Sequence, residues 1–169
     1  MEDKDKIYLA CSRALKVKST GCHCSQACLC ALAPFVGISE GDAMKLSAAF
    51  GGGMRHQQLC GAVAGAGIAL GLAFGTSEQD QTASDRLGEL TIEFVDRFSK
   101  ELGTTVCGPI LTHPMESFEW DMPEGMACDS ACNNENGNLY NLKVPACGAA
   151  ITSAVRLTLE IIQREDGLK

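Results

Sequence analysis

Apolar residues recur at helical spacing along most of the chain. The pattern predicts six helices, over about residues 3–17, 24–33, 40–49, 57–73, 78–101 and 146–163. Pro34, Ser39 and Gly103 are typical of helix ends or caps and mark three of the boundaries. No stretch alternates apolar and polar residues as a half-buried strand would, so the pattern predicts an all-α protein.

One long segment lacks this periodicity. Residues 104–145 contain four of the five prolines and a run of turn-forming residues, Cys132-Asn-Asn-Glu-Asn-Gly-Asn138. We interpret this segment as one long irregular, cysteine-bearing loop. With 169 residues, of which 46% are hydrophobic, the chain can build one core without covalent cross-links. The predicted fold is a single-domain helical bundle over residues 1–169.

Glycine is concentrated in and before the fourth predicted helix. Phe50-Gly-Gly-Gly-Met54 is predicted to be a turn, because three consecutive glycines do not sit stably inside a helix. Gly61, Gly65 and Gly71 leave bare backbone where we expect a neighbouring helix to approach closely. The alternative is that this backbone offers its amides to a cofactor.

Charge and hydropathy limit the classes of partner. The net charge is −7 and no block of Lys or Arg occurs, which disfavours nucleic acid and anionic membranes as partners. The longest apolar run, 61–75, is 15 residues, whereas a membrane span needs about 17–25. The charged N-terminus does not resemble a signal peptide. We therefore expect a cytoplasmic protein that does not enter the membrane.

The ten cysteines are the main chemical signal. In a reducing compartment they are more often metal ligands, reactive thiols or core residues than disulfides. The chain has no Cys-x-x-Cys and no Cys-x-x-Cys-His, which excludes covalent c-type haem, and neither common ferredoxin spacing occurs. Any metal site must therefore be assembled from distant segments.

Three segments resemble a known family. Gly21-Cys-His-Cys24-Ser-Gln-Ala, Phe50-Gly-Gly-Gly-Met54 and Cys60-Gly-Ala-Val-Ala-Gly65 are similar to the C_GCAxxG_C_C family of redox proteins, although the order here is Cys-Gly-Ala rather than Gly-Cys-Ala. Related domains occur in split-Soret cytochromes, where an iron–sulfur centre accompanies haem bound by a part that this chain lacks. The resemblance implies electron transfer or redox sensing by an iron–sulfur cluster, without haem. It also implies that the four family cysteines are Cys24, Cys60, Cys107 and Cys147.

The predicted elements support the same four residues as cluster ligands. Cys24, Cys60 and Cys147 are predicted to lie at or near helix N-termini, and Cys107 in the irregular loop. Helix N-termini offer unpaired amides and favour thiolate, which suits the negatively charged sulfurs of a cluster. The alternative is that these four cysteines are reactive thiols or inert buried residues.

The other cysteines have different predicted roles. Cys28 and Cys30 stand where the family usually has aliphatic residues, and Cys11 lies on an apolar helix face, so we expect all three to fill the core. Cys128 and Cys132 have a metal-compatible spacing. With Cys22 or Cys28 they would form a zinc site or a second cluster.

Three histidines are candidate ligands or proton donors: His23, His56 and His113. His23, which lies between two cysteines, is the strongest candidate, and hydrogen bonding at the surface is the alternative for each. Arg55 beside the glycine turn is predicted to be solvated rather than to pair with an anion. Trp120 is predicted to be a packing anchor.

Three functions follow from these observations. The first is an iron–sulfur protein of undetermined cluster type that exchanges electrons with a redox partner protein, as a monomer or a homodimer. The second is a thiol/disulfide oxidoreductase that uses dispersed cysteines such as Cys24 and Cys60. The third is a zinc-stabilised structural module without catalysis.

Overall fold

The structure is a computed structural model that describes residues 2–112 and 140–166. These ranges form seven helices: α1 (Asp3–Ser19), α2 (Cys24–Leu32), α3 (Glu40–Ser47), α4 (Gly61–Phe74), α5 (Gln81–Leu102), α6 (Cys107–Thr112) and α7 (Tyr140–Asp166). Within the same ranges the only β-type pairing is an isolated antiparallel bridge between Leu59 and Val106. The all-α prediction is confirmed.

Helix α7 lies at the centre of the bundle and packs against α1, α2, α4 and α5. Ile151, Val155 and Leu159, which recur on one face of the helix, are fully buried. So are Leu157 and Ile161, because neighbouring helices cover α7 on several sides. The described helices thus share one hydrophobic core, and the assignment of residues 1–169 to one domain stays a prediction.

Local hydrogen bonds explain where several helices begin and end. Ser39 Oγ accepts a hydrogen bond from the backbone N–H of Asp42 at 3.0 Å, and the carboxylate of Asp80 accepts one from Ala83 at 3.1 Å. These side chains satisfy amides that have no partner within the first helical turn. Gly103 ends α5 with a left-handed φ of 76°.

The prediction that the fourth helix starts at residue 57 is wrong. Helix α4 begins at Gly61, and the residues before it form an irregular turn and the bridge at Leu59. Gln57 has a left-handed φ of 55°, which a right-handed helix does not accept. Apolar periodicity extended the helix too far because it does not report backbone conformation.

The prediction of one irregular loop over residues 104–145 is also wrong at its two ends. Residues 107–112 form α6, and α7 already begins at Tyr140 rather than at residue 146. Pro145 was interpreted as a residue that precedes the helix, but the helical backbone passes through it. The predictions for His113, Trp120, Cys128 and Cys132 lie outside the described residues.

Helix α4 packs closely on the first turns of α2. A Cβ added at Gly65 would lie 2.7 Å from the carbonyl oxygen of Ser25 and 3.1 Å from Cys28 Cβ. At Gly61 it would lie 3.1 Å from the backbone nitrogen of Ser25 and 3.4 Å from Cys24 Cβ. The predicted close approach is therefore confirmed at both positions. It is wrong at Gly71, where an added Cβ would meet nothing within 4 Å.

Ion pairs join α5 to α7 along their exposed edges: Arg86–Glu165, Arg164–Glu93, Arg97–Glu160 and Arg156–Glu101. Exposed pairs of this kind typically contribute about 0–1 kcal/mol each. The buried residues Phe94 and Phe98 lie in the core that both helices share. Burial of these rings contributes more to the packing of α5 than the ion pairs do.

None of the helices in the described part of the chain has the length and apolar character that a membrane crossing requires.

The packing of α4 on α2 predicts opposite effects for two alanine substitutions in one helix. Gly65→Ala should destabilise the protein by about 1–3 kcal/mol, because its Cβ overlaps the backbone of α2. Gly67→Ala is the matched control, since an added Cβ there meets nothing within 4 Å. It should be neutral or stabilise by up to about 1 kcal/mol through helix propensity. Urea unfolding measures both, and equal stabilities would contradict the close approach at Gly65.

Candidate functional site

Four cysteines come from four separate segments at one end of the bundle. Cys24 is the first residue of α2, Cys60 is the N-cap of α4, and Cys107 is the first residue of α6. Cys147 was predicted to start the last helix, but it lies two turns inside α7 because α7 begins at Tyr140. Three of the four therefore lie at helix starts, as expected, but the third is Cys107 instead of Cys147.

Cys24 and Cys147 are within hydrogen-bonding reach of each other. The hydrogen bond from Cys147, together with the positive charge of Lys18, lowers the pKa of Cys24 to about 7 although burial opposes this. The same hydrogen bond, together with burial, raises the pKa of Cys147 far above its ordinary value. The pair therefore favours one thiolate, on Cys24, and one thiol, on Cys147.

Cys60 is buried beside these two thiols. Burial raises its pKa to about 12, although the backbone N–H groups of Ala62 and Val63 donate hydrogen bonds to its sulfur. Negative charge on Cys24 or Cys107 raises the pKa of Cys60 further, and Cys60 acts on Cys147 in the same way. Cys147, Cys24, Cys60 and Cys107 are therefore electrostatic neighbours, and the buried Cys28 also lies within electrostatic reach of Cys60 and Cys24.

The bridge between two irregular segments places Cys107 beside Cys60. The backbone N–H of Cys60 donates to the carbonyl oxygen of Thr105 at 2.8 Å. The backbone N–H of Cys107 donates to the carbonyl oxygen of Gln58 at 2.6 Å. Gly53 packs against the same point, where an added Cβ would lie 2.9 Å from Cys107 Cβ. Any side chain at position 53 would displace Cys107 or the bridge.

The segment before the bridge is strained. Gly52, Gly53, Met54 and Arg55 follow one another in the left-handed region, with φ between 57° and 62°. For a residue with a Cβ this region costs about 1–2 kcal/mol, so Met54 and Arg55 are held there by surrounding contacts. The triple glycine was correctly predicted to be a turn, but the two non-glycine residues carry no sequence signal for this conformation.

Two cations lie near the start of α2, Lys18 beside Cys24 and Arg55 beside His23. Arg55 Nη2 is 2.8 Å from His23 Nε2, and Lys18 Nζ donates to the carbonyl oxygen of Cys22 at 3.1 Å. Burial and the charges of Arg55 and Lys18 lower the pKa of His23, which favours a neutral imidazole. The hypothesis that His23 is a ligand finds no support in this contact, because its Nε2 faces Arg55.

His23 has a structural role that the sequence did not indicate. It is the N-cap of α2, and its backbone N–H donates to Gln26 Oε1 at 3.1 Å. Gly51 lies directly against its ring, with no room for a Cβ. His56, the second histidine candidate, is exposed in the strained turn. Arg55 is exposed, as predicted, but it also contacts His23, and Lys18 was not identified as a site residue.

The cysteines predicted to fill the core do so. Cys11, Cys28 and Cys30 are 1% exposed or less, and burial raises the pKa of each. Cys28 lies at the α2–α4 contact one turn from Cys24. Cys22 is half-buried, with its sulfur 3.3 Å from Thr20 Oγ1.

The donor set at this end of the bundle fits a thiolate-bound metal centre in chemistry. It offers four sulfurs, two backbone amides directed at Cys60 and a nearby ammonium group on Lys18. Over the described ranges, no three side chains among His, Cys, Asp and Glu are arranged to hold one metal ion. In an iron–sulfur cluster four thiolates are divided among two or four iron atoms, so the ligands need not surround a single ion.

Comparison with known proteins gives one match. A family model described as "Putative redox-active protein (C_GCAxxG_C_C)" matches residues 22–161, a range that includes all four cysteines of the site. No curated protein and no solved structure matches the chain.

The contact between Cys24 and Cys147 predicts the pH dependence of alkylation in protein prepared without metal. Alkylation of Cys24 by iodoacetamide should rise with pH around a midpoint near 7, because the thiolate is the reactive form. Cys147→Ala and Lys18→Gln should each move this midpoint up toward the ordinary cysteine value, since each removes a group that stabilises the thiolate. Peptide mapping by mass spectrometry measures the rate at Cys24. Lys100→Gln on α5 is the matched control, and an equal shift there would contradict this explanation.

Proposed function

Because this chain belongs to the C_GCAxxG_C_C family of redox-active proteins, we propose that Cys24, Cys60, Cys107 and Cys147 together ligate an iron–sulfur cluster through which the protein transfers or senses electrons. The observation that carries this proposal is the adjacency of four cysteine sulfurs that come from four separate segments. Such a cluster supplies reversible one-electron transfer when bound.

The residues around the sulfurs have distinct roles in this proposal. The amides of Ala62 and Val63 hydrogen-bond to the sulfur of Cys60 and so stabilise it as a thiolate. The ammonium group of Lys18 favours negative charge on Cys24 and Cys147. Hydrogen bonds to ligand sulfurs and nearby charge are two of the means by which a protein sets a cluster's reduction potential.

Burial keeps solvent from part of the site. Cys60 is 4% exposed, and Cys24, Cys107 and Cys147 are half-buried. Because burial favours the neutral thiol, the site without metal holds protons that binding must release. Cluster binding should therefore be weaker at low pH.

A thiol/disulfide oxidoreductase is the second candidate, and the contact between Cys24 and Cys147 favours it. The Cys24 thiolate would attack a substrate disulfide and release one substrate thiol, with a mixed disulfide as the intermediate. Cys147, after losing its proton to solvent, would then displace the second substrate thiol and form a Cys24–Cys147 disulfide. Two electrons would pass from the pair to the substrate. Here the pair would be Cys24 and Cys147 rather than Cys24 and Cys60.

Metal and sulfide analysis of protein purified without oxygen tests the proposal. The protein should be brown and contain iron and acid-labile sulfide. Serine in place of Cys24, Cys60, Cys107 or Cys147 should remove most of the colour and lower the melting temperature, because metal binding and folding are linked. Cys30→Ser is the matched control. Cys30 is fully buried, but Glu40, Arg13 and Cys22 are the charged or ionisable groups that act on it, so this change should leave the colour intact.

The same samples separate the alternatives. Colourless protein that reduces a disulfide substrate and loses this activity in both Cys24→Ser and Cys147→Ser would favour the oxidoreductase. Stoichiometric zinc without sulfide would favour a zinc-stabilised structural module. Either result would overturn the cluster.

A further inference from the structure

Three large apolar side chains are exposed immediately beside the site. Met54, Leu59 and Val106 have 48%, 46% and 36% of their surface exposed. Leu59 directly precedes Cys60, and Val106 directly precedes Cys107. Single exposed apolar residues are common on protein surfaces. Three of them in two short segments beside one site are typical of an interaction surface.

The bridge explains why Leu59 and Val106 lie side by side. Residues opposite each other in an antiparallel pair point to the same face, and successive residues in extended backbone point to opposite faces. Leu59 and Val106 are opposite each other and exposed, whereas Cys60 is 4% exposed. The bridge that directs Cys60 inward thus directs Leu59 and Val106 outward. Each of these two apolar residues directly precedes a cysteine of the site.

The charged groups next to these apolar residues are cationic. Arg55 is exposed between Met54 and Leu59, and Lys18 is half-buried beside Cys24 and His23. The charges that act on His23 are those of Arg55 and Lys18, and the charge that acts on Cys24 is that of Lys18. The whole chain nevertheless carries a net charge of −7. Two cations, Arg55 and Lys18, therefore lie beside the site although the protein as a whole is acidic.

We infer that Met54, Leu59 and Val106, flanked by Arg55 and Lys18, form the docking surface for an acidic face of a redox partner protein. The inference rests on the proposed function and specifies its partner. An apolar centre with a charged rim is the usual composition of a specific protein interface, in which Met and Arg are enriched. The positive charge at the rim favours a partner with a negatively charged surface. A partner that docks here contacts the residues directly before Cys60 and Cys107.

The strained turn supports the same surface. Met54 and Arg55 are held in left-handed conformations with their side chains exposed. A conformation with this cost persists where surrounding structure imposes it, and such residues cluster at functional sites. The turn thus presents a methionine and an arginine in fixed positions beside the bridge.

Binding to two redox proteins of opposite charge tests the inference. The probes are a plant-type ferredoxin, which is acidic, and mitochondrial cytochrome c, which is basic. Net charge alone predicts that this chain prefers cytochrome c. The docking surface predicts binding of the ferredoxin, and isothermal titration calorimetry should show affinity that falls steeply as salt rises from about 0.02 to about 0.2 M.

Two pairs of variants locate the contact. Leu59→Glu should weaken ferredoxin binding by about tenfold or more, because it places a negative charge in the centre of the surface. Ile92→Glu on α5 is the matched control, since Ile92 is 64% exposed and the same charge is added away from the site; it should change the affinity by less than about twofold. Arg55→Gln should weaken binding and reduce its salt dependence, whereas Lys100→Gln should not.

Several results would overturn the inference. The first is an equal loss of ferredoxin affinity in Leu59→Glu and Ile92→Glu. The second is binding of cytochrome c without binding of ferredoxin. The third is self-association of this chain that Leu59→Glu abolishes. The last result would assign the surface to a second copy of the chain. Iron and sulfide are measured on the same samples, so failure of the cluster is recognised separately. Colourless protein that still binds ferredoxin at Leu59 would retain the docking surface and refute the cluster.

Discussion

The close packing of α4 on the first two turns of α2 is the constraint on which the site depends. Gly61 and Gly65 let the backbone of α4 approach Ser25 and Cys24; a Cβ would overlap the backbone of α2 at Gly65 and would be tightly packed at Gly61. The first residue of α2 and the N-cap of α4 are brought together as a result, and these are Cys24 and Cys60. The central helix α7 packs on both helices and adds Cys147 to the same point.

The fourth cysteine depends on irregular backbone rather than on helix packing. Two hydrogen bonds of the Leu59–Val106 bridge join the segment before Cys60 to the segment before Cys107. The left-handed turn at residues 52–55 fills the space behind Cys107, and only glycine fits at position 53. Stable helices thus position three of the sulfurs, and a strained turn with a single bridge positions the fourth. Local opening of this region would separate Cys107 from the others without unfolding the core.

Most of the helices, and the faces that they bury, could be predicted from the spacing of apolar residues, because the apolar faces of α5 and α7 are long and regular. The glycines at 61 and 65 also indicated a close contact, since spacing by four marks one helix face. Two kinds of feature could not be obtained this way. The start of α4 and the helical conformation through Pro145 depend on local backbone states that several residue types accept. Lys18 lies near the end of α1 and Arg55 in the strained turn, and no pattern in the sequence relates either charge to Cys24.

Burial and charge act in opposite directions on the sulfurs. Burial raises the pKa of Cys60 to about 12, while the hydrogen bond from Cys147 and the charge of Lys18 lower the pKa of Cys24 to about 7. If burial acted alone, all four cysteines would stay neutral thiols. If nearby cations acted alone on exposed cysteines, the result would be a reactive, solvated thiolate. The described site combines one buried and three half-buried cysteines with an apolar surface, flanked by cations, one residue away. In the proposed function, these sulfurs hold negative charge partly out of water, and a partner exchanges electrons with them at the adjacent surface.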